Sequence, residues 1–447
     1  MDLTPFFAKV SQCPARDAFE PEEKKMPSAA AMANWKPPKW TGGTFKDFAP
    51  EAFMADPSRP LALYVHVPFC HHHCLFCPFY INRTTAGFSR EYTELLLREI
   101  EITADALKEV IDKRAVATVY FGGGTPTDLD ESDLSSVITA LFDHFNIPKD
   151  AEVTVEGRTT GFTASKAKAW TAAGANRFSL GVQSANTMLR QRLGRISSRE
   201  ELKSALDGIC ASGSSVIIDM LYGLPGQTRE ILLDDIRFIS EETGIDGLDL
   251  YALKIFPGTP LDKAIQIGKM PKAPTFDDTA TMFHDAYLAL VNAGFEHFSP
   301  KHWRRNARER SLYNRLAGQQ CDMIPFGSAA GGRLNAISLA NARDIKTYRN
   351  MVEAGEKPLG HIMPSPLRPI PMGFDAVLAS YAEKLALPPV ALWPEDRRSE
   401  AEGLLTQWQA AGLLKDNGKE FCLTGDGYFW SQKMKGLIQR FLSEPVS

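Results

Sequence analysis

Apolar residues in this chain fall into short continuous runs, at 61–67, 116–121, 152–156, 177–181, 216–222 and 247–253. Each run is too short for a core helix. Each predicts a strand, and the most continuous of them, such as 61–67 and 116–121, predict burial on both faces. Between the runs, apolar positions recur every three to four residues at 90–111, 132–145, 164–173, 199–211 and 229–242, which predicts amphipathic helices. Strands alternating with helices predict repeated βα units and a parallel sheet. Six such units fall short of a closed eight-stranded barrel.

The flanks break this rhythm. Residues 1–60 are rich in Pro, Ala and Lys without sustained periodicity, and read as an irregular extension over the main unit. The stretch 292–306 is dense in aromatic and basic residues (Phe295, His297, Phe298, Lys301, His302, Trp303, Arg304 and Arg305), and 327–332 is a loop of small residues. Proline spacing makes 364–371 a linker, and 374–442 reads as helices followed by a hairpin around Cys422. The expected division is therefore 1–60, 61–260, 261–370 and 371–447.

Composition narrows the function classes. A net charge of -4 in 447 residues suggests no polyanionic partner, so nucleic acid is not expected. No apolar run approaches the roughly 20 residues of a membrane span. Met1 to Cys13 lack the pattern of a signal peptide. Seven cysteines, three of them packed together, argue against a disulfide scaffold and for a reducing compartment, the cytoplasm. Cys13, Cys210, Cys321 and Cys422 are scattered and read as small apolar residues.

The three packed cysteines, in Cys70-His-His-His-Cys74-Leu-Phe-Cys77, follow the first apolar run. Three thiolates on one loop can hold three irons of a cubane and leave the fourth open to a small molecule. A structural zinc ion is the alternative, and it wants a fourth Cys or His. His71, His72 and His73 keep it open, although they read best as loop residues. Gly122-Gly123-Gly124-Thr125-Pro126-Thr127 ends the second run, where missing side chains let backbone approach a ligand or make a tight turn. Glu156 ends the third run, and Asp219 interrupts the fifth; a carboxylate in such a place needs a partner. Gln183 follows the fourth run. Arg195, twelve residues on, offers a fork to a carboxylate or is a solvated helix-end arginine.

In this order, these motifs resemble the radical S-adenosylmethionine (radical SAM) superfamily. Tyr64-Val-His-Val-Pro-Phe-Cys70, Gly-Gly-Gly-Thr-Pro-Thr127, Gly181-Val-Gln183 and Asp219-Met-Leu-Tyr-Gly-Leu-Pro-Gly-Gln227 are similar to its coproporphyrinogen-oxidase-like branch. The resemblance implies an α/β fold: a partial (β/α)6 barrel with an N-terminal extension and a C-terminal α+β, wing-like tail. It implies a [4Fe–4S] cluster on Cys70, Cys74 and Cys77, with SAM held by Tyr64, Gly123, Gly124, Thr125, Glu156, Gln183, Arg195 and Asp219. Glu156 would meet the SAM ribose or amino group, Gln183 the ribose, and Arg195 the carboxylate.

Oxidases of this branch carry a further cysteine two residues after the third ligand, where this chain has Phe79. Haem-chaperone relatives also lack it, but are shorter at the N-terminus. The extension (Pro5-Phe-Phe-Ala-Lys-Val-Ser-Gln-Cys-Pro14), Cys77-Pro-Phe-Tyr80 and Glu156-Gly-Arg-Thr-Thr160 resemble the anaerobic haem-degrading radical SAM methyltransferases. That likeness implies haem as substrate, two SAM molecules, a low-potential donor such as a flavodoxin, methyl transfer, ring opening to a linear tetrapyrrole and iron release. Oxygen-independent coproporphyrinogen oxidation and haem chaperoning are the alternatives. His297 or His302 is a candidate haem ligand.

Overall fold

The computed structural model describes residues 42–78, 82–365 and 386–443. Phe79, Tyr80, Cys13, the 5–14 motif and most of the proline-rich stretch lie outside the described residues. All six expected strands form: β1 Leu61–Val67, β2 Val116–Gly123, β3 Glu152–Arg158, β4 Arg177–Gln183, β5 Ser215–Tyr222 and β6 Gly247–Ala252. They pair in parallel in that order. The connecting helices are α1 Phe88–Leu107, α2 Glu131–His144, α3 Ala164–Ala173, α4 Arg199–Cys210 and α5 Arg229–Glu242. Their starts follow local chemistry. Thr163 and Thr228 accept the amides of Lys166 and Ile231, and Ser198 with Glu201 closes a capping box.

The sheet extends beyond these six strands at both edges. His302–Arg304 (β8) pairs antiparallel with β6, and Glu296–His297 (β7) pairs with β8. On the other side Asp322–Phe326 (β9) pairs in parallel with β1 as a seventh parallel strand. Gly331–Leu334 (β10), Ile337–Asn341 (β11) and Leu359–Pro364 (β12) continue from it as an antiparallel meander. Among the described residues this makes one twelve-stranded sheet. The stretch 261–370 is thus built into the sheet itself.

Two buried ion pairs fasten the late strand into place. Arg114, just before β2, pairs with Asp322 at 2.9 Å, both side chains almost fully buried. Glu99 of α1 accepts from the Gly327 amide at 2.7 Å, Asn341 Nδ2 at 2.7 Å, Tyr348 Oη at 2.6 Å and Lys357 Nζ at 2.8 Å. A buried carboxylate is tolerated because it is satisfied from several sides.

Beyond the sheet, residues 386–443 hold a small core of Leu387, Trp393, Leu404, Trp408, Met434 and Phe441. Helix Arg398–Ala410, the hairpin Leu414–Asp416 with Phe421–Leu423, and helix Gly425–Ser443 build it, giving the expected hairpin at Cys422.

Candidate active site

The cysteine loop leaves the C-terminal end of β1. Phe69–Cys70 forms a short parallel ladder with Asn82–Arg83, which ties down the loop's first ligand. The Cys77 amide donates to the Cys74 carbonyl at 3.0 Å. Leu75 is gripped from both sides: its amide donates to Leu193 O at 3.3 Å, and its carbonyl accepts from the Leu261 amide at 3.0 Å. Phe76 packs against Leu189, Leu193, Leu221 and Leu224. All three thiols are half-buried and free of disulfides. Thr125 Oγ1 donates to Cys70 Sγ at 3.2 Å. Burial pushes the Cys70 thiol up, while Thr125 and Arg158 pull it down.

An ionic brace fixes this loop, and sequence reasoning missed it. The Asp128 carboxylate accepts the His71 amide at 2.8 Å and pairs with Arg158 at 2.9 Å; Arg158 also donates to His72 O at 3.3 Å. Arg158 lies inside the quoted 156–160 motif, so its type was visible. Its partner thirty residues upstream was not. The histidines stay at the loop surface, as expected: His71 pairs with Asp128 at 3.2 Å, and all three are exposed.

The glycine motif serves first as a close-approach surface. Gly124 N donates to Val67 O at 2.7 Å, and Thr125 N to Phe69 O at 2.8 Å. A Cβ on Gly124 would lie 2.4 Å from Phe69 O. On Gly123, where φ is +109°, a Cβ would lie 2.5 Å from the His66 ring. On Gly122 it would lie 2.9 Å from Glu156 Oε2.

Along otherwise buried strands, Tyr64, His66, Glu156, Asp219 and Tyr251 are half-buried. They sit toward the strands' C-terminal ends. Tyr64 Oη lies 2.9 Å from His66 Nδ1, and its ring is stacked with those of Tyr120 and Tyr313. Tyr120 donates a short hydrogen bond to Glu156. Burial raises the Glu156 carboxyl, against the pull of Tyr120 and the Gly123 amide. Burial, then the charges of Asp249 and Glu156, carry Asp219 up to about 8.

Gln183 adopts φ +73°, a strained value for a residue with a side chain. It converges with Arg195 over Gly181. A Cβ there would lie 2.8 Å from Gln183 Nε2 and 3.1 Å from Arg195 Nη2. Arg195 is buried, not solvated; its Nη1 donates to Gly181 O at 2.6 Å, and it also bonds the Cys74 side chain. Burial lowers its guanidinium, and Cys74 opposes that. Its Nε is buried and has no hydrogen-bond partner among the described residues.

Deeper in the sheet interior the charges are paired. Arg177 Nε binds both Glu309 carboxylate oxygens, at 3.1 and 3.0 Å. His302 lies 3.0 Å from Asp249 and 3.2 Å from Glu309. Burial alone would depress His302, but these two carboxylates carry it up to about 9. Buried in the core between Asp249 and Glu309, His302 is not available to haem iron. His297 is stacked on Trp303 at 4.1 Å and edge-on to Tyr428 at 4.0 Å. Phe295 and Trp303 are buried, Arg304 pairs with Glu296, and Arg305 donates to carbonyls of Ile239, Ser240 and Thr243. Of the aromatic-basic stretch, Phe295, His302 and Trp303 are core, while His297, Phe298, Arg304 and Arg305 are half-buried. Lys301 is exposed, with its ammonium over the Tyr251 ring at 4.9 Å. A cavity of about 520 Å³ opens beside Tyr64, His66, Cys70, Gly123, Asn341 and Arg343.

The donor set fits the groups the motifs imply. The three cysteines lie on one loop with free thiols, and a cubane takes one thiolate per iron. Glu156 and Asp219 are carboxylates short of cations, beside an arginine with an orphaned donor. SAM carries a sulfonium, an ammonium and a carboxylate, the complementary set.

Comparison with known proteins agrees with this geometry. Residues 64–239 match the family model described as the radical SAM superfamily. The chain is 35% identical to an anaerobilin synthase of Escherichia coli O157:H7, over 98% of this chain and 96% of that protein. It is 30% identical to a heme chaperone, HemW, of Mycobacterium tuberculosis, over 83% of this chain and 93% of that one. The structure of coproporphyrinogen III oxidase (HemN) from Escherichia coli superposes with a TM-score of 0.71 at 23% identity, over 87% of this chain and 92% of the other. With a full-length relative above 30% identity and the motifs of the described residues gathered at one end of the parallel strands, the chain belongs to the radical SAM superfamily, in its coproporphyrinogen-oxidase-like branch, and uses a [4Fe–4S] cluster and SAM.

Proposed function

We propose that this protein degrades haem without oxygen, transferring a SAM-derived methyl group to the porphyrin and opening the ring to a linear tetrapyrrole with release of iron. The observation that carries this reading is the likeness, over 98% of the chain, to a protein named for making a bilin, which is an opened tetrapyrrole. When bound, the cluster and SAM supply one-electron chemistry and the methyl group.

The protein's own residues do the rest. Cys70, Cys74 and Cys77 hold the cluster, and Thr125 and Arg195 stabilise the thiolate charge on Cys70 and Cys74. Glu156 and Asp219 receive the cationic groups and ribose of SAM, Gln183 the ribose, and Arg195 Nε its carboxylate. Tyr64, with Gly123 and Gly124, forms the wall shared by this SAM and the cavity. That cavity receives the reacting edge of the porphyrin and a second SAM. Packed strands keep water from the reacting groups. A low-potential donor such as a flavodoxin supplies electrons in the cytoplasm.

Anaerobic incubation with haem, reductant and SAM labelled in its methyl group tests this. The Soret band should fade, iron should appear in step, and label should enter a linear tetrapyrrole. Cys74→Ala should abolish all three. The likeness to the heme chaperone supports a second reading, in which haem is held but returned intact. Unaltered haem despite SAM cleavage would favour it. Efficient conversion of coproporphyrinogen III with haem untouched would favour the oxidase.

A further inference from the structure

We infer that the face formed by residues 187–196 and 260–272, against the outer side of the cysteine loop, is the docking surface for a small acidic flavoprotein that reduces the cluster. The inference rests on the cluster and SAM, not on haem being the substrate.

Both segments are anchored on Leu75, which lies between two cluster ligands. Leu193 takes its amide hydrogen bond and Leu261 gives one to its carbonyl. This places both segments against the loop between Cys74 and Cys77. The segments also meet each other, since Arg192 lies against Gly226 beside Pro271. Their surface has two unusual features. Met188 is 63% exposed, Ile196 63% and Ile267 65%, which makes three of the large apolar side chains left in solvent grouped on these two segments. Arg192, Lys263, Lys269 and Lys272 are exposed too, and none has an acidic partner among the described residues. The one acid within 260–272, Asp262, is occupied by the Gly258 amide and by Gln266. Elsewhere on the described surface, cations are commonly paired: Arg199 with Asp234, Arg229 with Asp285, and Arg304 with Glu296.

A positive rim around bare apolar residues, on a chain of net charge -4, is matched by a partner with an acidic rim and an apolar centre. The dimethylbenzene edge of a flavin, framed by acidic residues, has that chemistry. One electron leaves the fully reduced flavin, oxidising it by one electron, and reduces the cluster by one. No atom is transferred.

The test drives 5′-deoxyadenosine formation from SAM by two routes: flavodoxin kept reduced by its NADPH-dependent reductase, and dithionite. The triple variant Arg192→Glu, Lys269→Glu, Lys272→Glu should lose about tenfold or more in the flavodoxin-driven rate. Its dithionite-driven rate should stay unchanged, because dithionite needs no docking face. Added salt should slow only the flavodoxin route in the wild type. Dithionite-driven turnover of the wild type tests the cluster reading separately. A flavodoxin-driven rate that survives charge reversal would overturn the inference. So would a reduced ferredoxin that works through the same residues where flavodoxin does not.

Discussion

At the scale of single residues, the site combines carboxyls that burial pushes up with a ligand that brings positive charge. Asp219 sits at about 8 without ligand, through burial and the nearby charges of Asp249 and Glu156. A cation placed beside it favours the carboxylate, so its pKa falls on SAM binding. Below about pH 8 binding should therefore release a proton, and affinity should rise with pH up to that value. Calorimetry in two buffers of different ionisation enthalpy would read the release, and Asp219→Asn should remove it. Glu156→Gln and Arg195→Ala should each weaken SAM roughly tenfold or more, by loss of a charge-assisted contact worth roughly 1.5–3 kcal/mol, with the cluster's absorption intact. Equal affinity in both variants would mean that these strand ends do not hold SAM. Residues such as Glu156, Gln183 and Asp219 were legible in the sequence because each follows or interrupts an apolar run and so betrays a strand end. Asp128, Tyr120 and Tyr313 were not, because their importance lies in partners from distant segments.

Elements show the same division. The six runs that became β1 to β6 were legible because burial on both faces writes continuous apolar sequence. The strand β9 was missed. It is five residues long, carries a proline and begins with Asp322, whose charge makes sense only beside Arg114. No local pattern announces a strand that pairs with β1 from more than 250 residues away. What fixes this seam is Glu99 with Lys357, both fully buried; burial lowers the Lys357 ammonium and Glu99 opposes that. Glu99→Leu should cost about 3–5 kcal/mol, because it strands Lys357 and frees the Gly327 amide. Adding Lys357→Met should recover much of the loss, as an apolar pair removes the uncompensated charge. Denaturant titration of the two variants would measure this; a double variant no more stable than the single one would show that the pair acts mainly through Gly327, Asn341 and Tyr348.

Among the described residues the two largest apolar cores meet through aromatic side chains. Tyr428 and Phe429 pack against both. Tyr428 meets His297 at 4.0 Å and Tyr287 at 5.7 Å, while Phe429 meets Phe276 at 5.5 Å and Phe283 at 5.7 Å. The backbone comes close here as well, since a Cβ on Gly425 would lie 3.0 Å from the Tyr287 ring. These contacts make folding of the small core report on the large one. Truncating half-buried aromatics to Ala removes about 2 kcal/mol each, below the range for full burial. That loss falls on the coupling and leaves each core's own packing in place. The double variant Tyr428→Ala, Phe429→Ala should therefore unfold in two steps where the parent unfolds in one, and limited proteolysis should release a C-terminal fragment. The strands that carry Cys70, Glu156 and Asp219 do not depend on those contacts. Cluster content and dithionite-driven SAM cleavage should persist in the variant. A single cooperative transition in calorimetry, unchanged from the parent, would show that other contacts hold the two cores together.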